Sequence, residues 1–413
     1  MSLKITIWFR KGCFMAMNFI LLLNISGCND AAPAKTQDTE SVSCIQIFQE
    51  HMQEDDERLI DICLELYKTA AKVNKIADPD TVRSIVKRFG ENGYPAVDSG
   101  NQINMTEAEQ VVDFCEKVDA GEEGKITIIE VGYLGGFIKY DLETKDGKVD
   151  VVRSCFKYEN EKLQKEASGS YQAERWNYTE DGYLMFSGTW FSEDVYVLKQ
   201  SSAEEHTALR VQPLDEIYRE LNRKYLYPIS YAHNNMFLVD WSEDDFGELN
   251  FYDMYDIFYP KLNAEIVPYV ADDNLGVGAV YRIPKEEFES VIMSYFHIDS
   301  ETLQSKTTYY SEDSTYEYKP RGFFEVEYPE YPYSEVAGYT ENKDGTITLL
   351  VHAVYPYTGN SNEYVHEVVV RPLKNGGVQY VSNRIIPSED NQEKTWHTPR
   401  LTKEKWEEIY GSK

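Results

Sequence analysis

The feature that most constrains this chain is a set of tight-turn sequences beside runs of β-type residues. Asp-Gly and Asn-Gly steps favour type I′ turns, whose backbone twist matches that of two antiparallel strands. Two of them lie in each half of the chain. We therefore expect one antiparallel meander in the first half and a three-stranded meander near the end. The turn sequences are Asp146-Gly147, Asp181-Gly182, Asp344-Gly345 and Asn375-Gly376.

Helical patterns precede the first meander. Before Asp78, apolar residues recur every three or four positions, which is typical of an amphipathic helix. Asp78-Pro79 predicts a second helix that ends at Gly90, since Asp is a favoured N-cap and proline suits the first helical turn. Thr106 with Glu109 predicts a capping box at the start of a third helix.

The second half repeats this order of helices and strands. Pro213 and Pro284 each open a helical pattern, and Met236–Trp241 is predicted to be a strand between them. Helices followed by consecutive antiparallel strands, twice over, give the α+β class. The predicted strands of the final meander are Thr346–Tyr355, Tyr364–Arg371 and Val378–Ile385.

The N-terminus has the order of a secretory signal. Three cations precede the apolar run Phe14–Leu23, which is too short to cross the ~30 Å hydrocarbon core of a membrane as a helix. Ile25-Ser26-Gly27-Cys28 resembles the lipobox of bacterial lipoproteins, which implies that Cys28 becomes the lipidated first residue of the mature chain. We therefore expect the protein on the extracytoplasmic face of the cell membrane, held there by the lipid on Cys28.

These patterns predict four segments. Residues 1–27 are the signal peptide, and residues 28–45 are a small, polar tether. Residues 46–211 form a first α+β domain and residues 212–413 a second, each with helices packed on an antiparallel meander. The polar, aperiodic stretch Lys199–Thr207 is the predicted junction between them.

The composition argues against nucleic acid as a partner. The net charge of −30 makes the surface repel phosphate backbones and anionic headgroups alike. Attachment to a membrane must then come from the lipid. The cysteines after Cys28 show no CxxC spacing, and the sequence leaves open whether they form disulfides or remain buried thiols. They are Cys44, Cys63, Cys115 and Cys155.

Four stretches of the mature chain are similar to a known family: Gly93–Asp98, Asn250–Tyr255, Pro284–Phe296 and Asp344–Leu349. They resemble an uncharacterised family of lipoproteins from gut-dwelling Gram-positive anaerobes. That family is a domain of unknown function, so the resemblance implies a location and an architecture but no catalytic residue. For the second half, a cystatin-like or NTF2-like fold is suggested by analogy alone.

Two groups of residues are candidates for chemistry, and neither predicts a cofactor. Six acids between residues 243 and 256 supply the paired carboxylates of a hydrolase, or else a solvated acidic face. His352 and His366 lie directly opposite each other if their hairpin centres on Gly359, which would let them share a metal ion. The alternative is a solvated histidine pair. The acids are Glu243, Asp244, Asp245, Glu248, Asp253 and Asp256.

The stretch Phe323–Tyr339 is rich in aromatic residues, and Pro329 and Pro332 favour an extended path for it. It is either a recognition strip for a ligand or partner, or a connector with its rings packed inward. We predict a surface lipoprotein that binds a ligand or protein of the cell envelope; an extracytoplasmic hydrolase using the acidic cluster is the alternative. The candidate binding residues are Tyr328, Tyr331 and Tyr333.

Overall fold

The computed structural model of the protein describes residues 39–191, 196–197, 200, 202–269, 278–327, 330–387 and 394–411, with side chains from residue 55 onward. The predicted signal peptide, Cys28 and Tyr328 lie outside these residues. Residues Glu57–Lys413 form one compact unit. In the part of the chain that is described, no helix is both long and apolar enough to cross a membrane.

A five-stranded sheet lies at the centre of the first half. The Asp146-Gly147 turn joins its third and fourth strands, and all neighbours are antiparallel except the first pair. The antiparallel strands predicted around Asp146-Gly147 are therefore confirmed, whereas the Asp181-Gly182 turn lies in a separate sheet and not in the same meander. In spatial order, its strands are β1 (Ala96–Asp98), β2 (Gly124–Gly132), β3 (Gly136–Lys145), β4 (Lys148–Glu159) and β5 (Lys162–Gln172).

Both faces of this sheet are covered. Side chains along a strand alternate between its two faces, and each face packs against a different layer. On one face, Ile129 and Phe137 pack with the helices α1 (Thr39–Lys72) and α2 (Pro79–Gly90). On the other face, Ile128 and Tyr140 pack with α3 and a second sheet. That layer consists of α3 (Ala108–Ala120), β6 (Arg175–Tyr178), β7 (Tyr183–Trp190) and β8 (Ala203–Arg210).

Two glycines allow the two sheets to approach closely. A Cβ atom added to Gly169 of β5 would lie 2.1 Å from the ring of Trp190 on β7. A Cβ atom added to Gly188 of β7 would lie 2.3 Å from the ring of Tyr171 on β5. Each ring thus lies over a glycine of the opposite strand, so a larger residue at either position would push the sheets apart.

The second half is also built of helices and antiparallel sheets, so the chain belongs to the α+β class. Its larger sheet contains the predicted final meander, and its helices and strands share a core rich in buried aromatic rings. In spatial order, the larger sheet is β13 (Tyr333–Glu341), β14 (Ile347–Tyr355), β15 (Asn360–Pro372), β16 (Val378–Ile385) and β9 (Trp241–Ser242). The smaller sheet is β10 (Tyr281–Pro284), β12 (Thr315–Tyr318) and β11 (Tyr309–Tyr310). The helices are α4 (Glu216–Leu221), α5 (Phe251–Asn263), α6 (Lys285–Tyr295), α7 (Ser300–Ser305) and α8 (Lys403–Tyr410).

The predicted helix starts are confirmed at one position and wrong at another. Asp78 caps α2, where its carboxylate accepts a hydrogen bond from Asp80 N. Thr106 does not cap α3, which begins two residues later at Ala108. The Thr106 hydroxyl instead accepts a hydrogen bond from Ala96 N, at 3.1 Å. The predicted capping box does not form because the Thr106 hydroxyl is hydrogen-bonded to β1 instead of to the first turn of α3.

The predicted strand Met236–Trp241 is also wrong. Met236, Phe237 and Leu238 are buried in a turn, and only Trp241–Ser242 pairs with β16. The Trp241 indole donates a hydrogen bond to the Met236 carbonyl, at 2.8 Å, which closes the segment on itself. Apolar residues in this stretch reach the core without a strand, because side-chain bonds satisfy part of its backbone.

A buried polar network joins residues from both predicted domains. Glu335 of β13 accepts hydrogen bonds from the Arg210 guanidinium at 2.9 Å and from the Tyr183 hydroxyl at 2.6 Å. The Asn101 amide donates to the Tyr333 hydroxyl at 3.1 Å and accepts from Arg210 N at 2.8 Å. Charges buried in this way are stable only when they are paired and hydrogen-bonded. The network therefore favours one arrangement of β7 and β8 against β13.

Candidate functional site

The predicted acidic cluster is divided among several ion pairs. Glu243 pairs with Arg371, with one oxygen at 2.9 Å from the guanidinium. Asp253 is buried and bonds to Arg321 and Arg400, while Asp256 bonds to Arg400 as well. The remaining acids are exposed. They are Asp244, Asp245 and Glu248.

This arrangement lacks the free pair of carboxylates that a hydrolase requires. Asp253 and Asp256 do converge, but on the Arg400 guanidinium, and Arg321, which also bonds to Asp253, supplies the second positive charge that balances the pair. The Tyr318 hydroxyl also donates to Asp256, at 2.5 Å. Burial raises the pKa of Asp256, although the charge of Arg400 partly offsets this effect. Asp253 and Asp256 therefore connect α5 to the two arginines rather than line an open catalytic cleft.

The predicted pairing of His352 with His366 is wrong by one residue. His352 lies opposite Val365, and His366 lies opposite Val351, so the two rings point to opposite faces of the sheet. The paired residues of the two strands are centred between Thr358 and Gly359 rather than on Gly359, and the register shifts again between Ala353 and Tyr355, nearer the turn. Sequence periodicity could not reveal this register.

Each histidine has its own polar neighbours. His366 is fully buried, with its ring nitrogens 2.7 Å from the Tyr231 hydroxyl and 2.6 Å from the Asn383 amide oxygen. Burial lowers the pKa of His366 to about 3. His352 lies 3.7 Å from Asp181 on the other face. Within the described residues, no group of three His, Cys, Asp or Glu side chains could hold a metal ion.

The two candidate tyrosines that the structure describes have different environments. Tyr331 is 43% exposed. Tyr333 is half-buried at the start of β13, where its hydroxyl accepts the hydrogen bond from Asn101. Tyr328 lies outside the described residues. Exposure on this stretch is concentrated instead at its beginning, in residues that the sequence analysis did not select.

Residues 323–327 turn their apolar side chains outward and their carboxylates inward. Phe323 is 68%, Phe324 55% and Val326 65% exposed, whereas Glu325 is 6% and Glu327 7% exposed. We call Phe323, Phe324 and Val326 the apolar ridge. This is the reverse of the usual arrangement, since Glu is almost never fully buried without a partner. The alternation of apolar and acidic residues was visible in the sequence, but its direction was not.

Hydrogen bonds to the two buried carboxylates explain the inversion. Glu325 accepts from the backbone N–H groups of Gly322 and Leu401, both at 2.8 Å. Glu327 accepts from His233 N at 2.6 Å and lies 2.8 Å from the His397 ring. Burial alone would raise the pKa of Glu327, but these bonds outweigh it and hold the pKa below its ordinary value. The hydrogen-bonded carboxylates of Glu325 and Glu327 thus keep the side chains of the apolar ridge turned toward solvent.

A cleft of about 280 Å³ opens beside the ridge, and Glu325 forms part of its wall. We call it the Trp406 cleft. Lys319, which follows β12, places its amine 4.3 Å from the ring centre of Trp406 on α8 and 2.8 Å from Glu317. The residues that line the Trp406 cleft are Asn250, Tyr252, Thr308, Glu317, Lys319, Glu325, Arg400, Leu401, Thr402, Lys403 and Trp406. They come from distant parts of the chain, so no local pattern could have identified them together.

Three of the four cysteines after Cys28 do not form disulfides. Cys63, Cys115 and Cys155 are free thiols, and the first two are buried. Burial raises the pKa of Cys63 and of Cys115 to about 12, so neither is a reactive thiolate at neutral pH. The side chain of Cys44 is outside the described set.

Comparison with known proteins gives a family but no function. No significant match was found among curated proteins or among solved structures. A model of the family of unknown function DUF6070 matches residues 49–400, which is most of the chain. The match includes the apolar ridge and most of the lining of the Trp406 cleft. The chain belongs to the family of unknown function DUF6070.

Proposed function

We propose that this chain is a lipid-anchored, extracytoplasmic binding protein of a Gram-positive bacterium, and that a protein partner docks on the apolar ridge. The exposure of Phe323, Phe324 and Val326 carries the proposal. Large aromatic side chains are enriched at the centres of protein interfaces, where they supply most of the buried apolar area. Glu325 and Glu327 hold the ridge in place before binding, which lowers the entropy lost on association.

The chemistry of the ridge favours a protein partner over other occupants. Its side chains carry no polar group, so they suit apolar side chains better than sugar hydroxyls or phosphates. A bilayer is disfavoured, because the net charge of −30 opposes approach to anionic headgroups. The same charge argues against nucleic acid. The acids of the 243–256 cluster are engaged in ion pairs or dispersed on the surface, which favours binding over hydrolysis.

Capture from the cell envelope by the soluble chain after Cys28 tests the ridge. The variant carries Phe323→Ser, Phe324→Ser and Val326→Ser, and the matched control is Leu134→Ser, which removes an apolar side chain that is 91% exposed elsewhere. We expect one protein to be captured by the wild type and the control but not by the triple variant. That protein, once purified, should bind the wild type at least tenfold more tightly than the triple variant.

Exposed substitutions usually change the free energy of unfolding by less than about 0.5 kcal/mol each, so the triple variant should remain folded. Its thermal transition is measured alongside. Capture of the same proteins by the triple variant, or of none by the wild type, would refute docking on the ridge.

The anchor has a separate test in Cys28→Ala. The sequence Ile-Ser-Gly-Cys after a short apolar run supports lipidation at this position. Cells that express the variant should incorporate no labelled palmitate into the protein and should release it or retain the uncleaved precursor. Equal labelling of the variant and the wild type would contradict the proposed anchor.

A further inference from the structure

The Trp406 cleft differs in charge from the rest of this acidic chain. Three cations and two carboxylates line it, although the chain as a whole carries a charge of −30. The Debye length at physiological salt is about 8 Å, so distant surface acids contribute little to the potential inside the cleft. Local side chains therefore decide which ligand it accepts.

The two carboxylates in the wall already have partners. Glu325 accepts its two backbone hydrogen bonds from Gly322 and Leu401. Glu317 accepts from the Tyr310 hydroxyl at 2.6 Å and from Lys319 at 2.8 Å. These bonds use much of the capacity of the two carboxylates to accept hydrogen bonds from a ligand.

Several hydrogen-bond donors in the lining of the Trp406 cleft remain able to bind a ligand. Lys403 is an exposed residue of the lining, and its amine makes no hydrogen bond or ion pair with the described residues. Lys319 uses one of its three N–H bonds on Glu317. The Asn250 oxygen caps α5 by accepting from the backbone, which directs its NH₂ group away from the helix. The cleft thus offers more donors than acceptors, and two of those donors are cationic.

The helices add to this bias. The N-terminus of α5 at Asn250 and that of α8 at Thr402 both lie in the wall of the cleft. Each contributes a partial positive charge through its aligned peptide dipoles. Arg400, by contrast, is occupied by Asp253 and Asp256 and serves to hold the wall.

The volume limits the size of the ligand. At about 280 Å³, the cleft lies at the lower edge of the ~300–1,000 Å³ range for sites that bind drug-sized molecules. It accommodates one sugar ring or one terminal amino acid, not an extended chain. Tyr252 and Trp406 supply aromatic surface to the lining.

We propose that the Trp406 cleft binds a small ligand of one ring or residue through its carboxylate, which lies between Lys319 and Lys403. Two sources share this chemistry, an acidic sugar and the C-terminal residue of a peptide. In both, the carboxylate accepts charge-assisted hydrogen bonds from the two amines, and the rest of the ligand lies against the aromatic wall. This site is distinct from the apolar ridge and holds whether or not the ridge binds a protein.

Four probes distinguish the sources: glucuronate and its neutral analogue glucose, and N-acetylphenylalanine and its C-terminal amide. Each is titrated into the soluble chain labelled with ¹⁵N-tryptophan, and the indole N–H signal of Trp406 is followed after assignment with Trp406→Phe. We expect at least one carboxylate probe to shift this signal with a Kd on the order of 1 mM or below. Its neutral analogue should bind at least tenfold more weakly.

Variants connect binding to the two amines. Lys319→Met and Lys403→Met should each weaken the carboxylate probe at least fivefold. Lys403 is exposed, so its variant should keep the fold even if the loss of Lys319 disturbs Glu317. The matched control is Lys405→Met, on the same helix but outside the cleft, where its amine pairs with Glu408 at 2.8 Å; it should leave binding unchanged.

Three results would overturn this site: no shift of the Trp406 signal with any probe, equal binding of each carboxylate and its neutral analogue, or equal losses in Lys403→Met and Lys405→Met. The outcome is separable from that of the ridge. The triple ridge variant should still bind the carboxylate probe, and Lys403→Met should still capture the protein partner.

Discussion

At the scale of single residues, the environment of Glu130 changes the pKa of its carboxyl group. It lies on β2 and faces the core between the two sheets of the first half, where the Tyr140 hydroxyl donates to it at 2.9 Å. Burial raises the pKa of Glu130 to about 7, and the hydrogen bond from Tyr140 only partly offsets this effect. The charges of Glu205 and Asp98 add to the rise, while that of Arg153 opposes it. Glu130 is therefore largely protonated in the folded protein under mildly acidic conditions.

This environment predicts that Glu130→Gln changes the pH dependence of stability. In the unfolded chain the carboxyl ionises near pH 4.3, whereas in the folded chain it stays protonated up to about pH 7. The unfolded state therefore binds fewer protons between these values, and Glu130 lowers the free energy of unfolding as pH rises. Since Gln mimics the protonated form, the variant should match the wild type near pH 4 and be more stable at pH 7.5. The difference at pH 7.5 should be on the order of 3 kcal/mol at most.

The measurement is the free energy of unfolding in denaturant for both proteins at the two pH values. Both proteins share every other carboxyl, so the difference between them arises from Glu130 and its interactions with neighbouring charges. Glu143→Gln, which changes an exposed carboxylate near the end of β3, is the control and should show no such trend. A difference between the Glu130 variant and the wild type that stays constant with pH would contradict this prediction.

At the scale of elements, side-chain partners decide where helices and strands begin and which way they face. Asp78 caps α2 as its sequence indicates, whereas Thr106 bonds to β1 and leaves α3 to start later. Residues 323–327 show the same principle for orientation, because Glu325 and Glu327 find donors inside the molecule and turn the ridge to solvent. A local pattern predicts that an element exists, but its neighbours decide how it is placed.

At the scale of the whole molecule, the pair of Arg210 and Glu335 joins two regions that the sequence assigns to different domains. Both side chains are buried, and the Tyr183 hydroxyl completes the environment of Glu335. Because removal of one partner leaves the other charge buried and unpaired, we expect Glu335→Ala to lower the free energy of unfolding by about 3–5 kcal/mol. Denaturant titration measures it.

Two variants show whether the loss comes from the unpaired charge. Glu341→Ala removes an exposed carboxylate at the end of the same strand and should change stability by less than about 0.5 kcal/mol. Arg210→Met with Glu335→Leu should recover most of the loss, since apolar residues often replace a buried ion pair at little cost. A loss in Glu335→Ala no larger than in the control would show that the pair does not hold these regions together. The boundary at Lys199–Thr207 stays a prediction.

Local signals in the sequence determined much of the architecture. Turn chemistry at Asp146-Gly147 and Asn375-Gly376 and the strand pattern around each step predicted the hairpins at both positions, because a hairpin depends largely on neighbouring residues. The start of α2 followed from Asp78 and Pro79, and its end from Gly90. The α+β class followed from the order of these patterns along the chain. Lipidation at Cys28 stays a prediction.

Tertiary structure decided the register, the burial and the sites. The register of β14 against β15 separated His352 from His366, since a shift of one residue moves a side chain to the other face of a sheet. The Trp406 cleft brings together α5, β12 and α8, which are far apart in the chain. Whether Glu325 points inward depends on donors 3 and 76 residues away. The sequence alone determined which local elements form, while long-range contacts decided which side chains face one another, because only the folded chain brings those partners together.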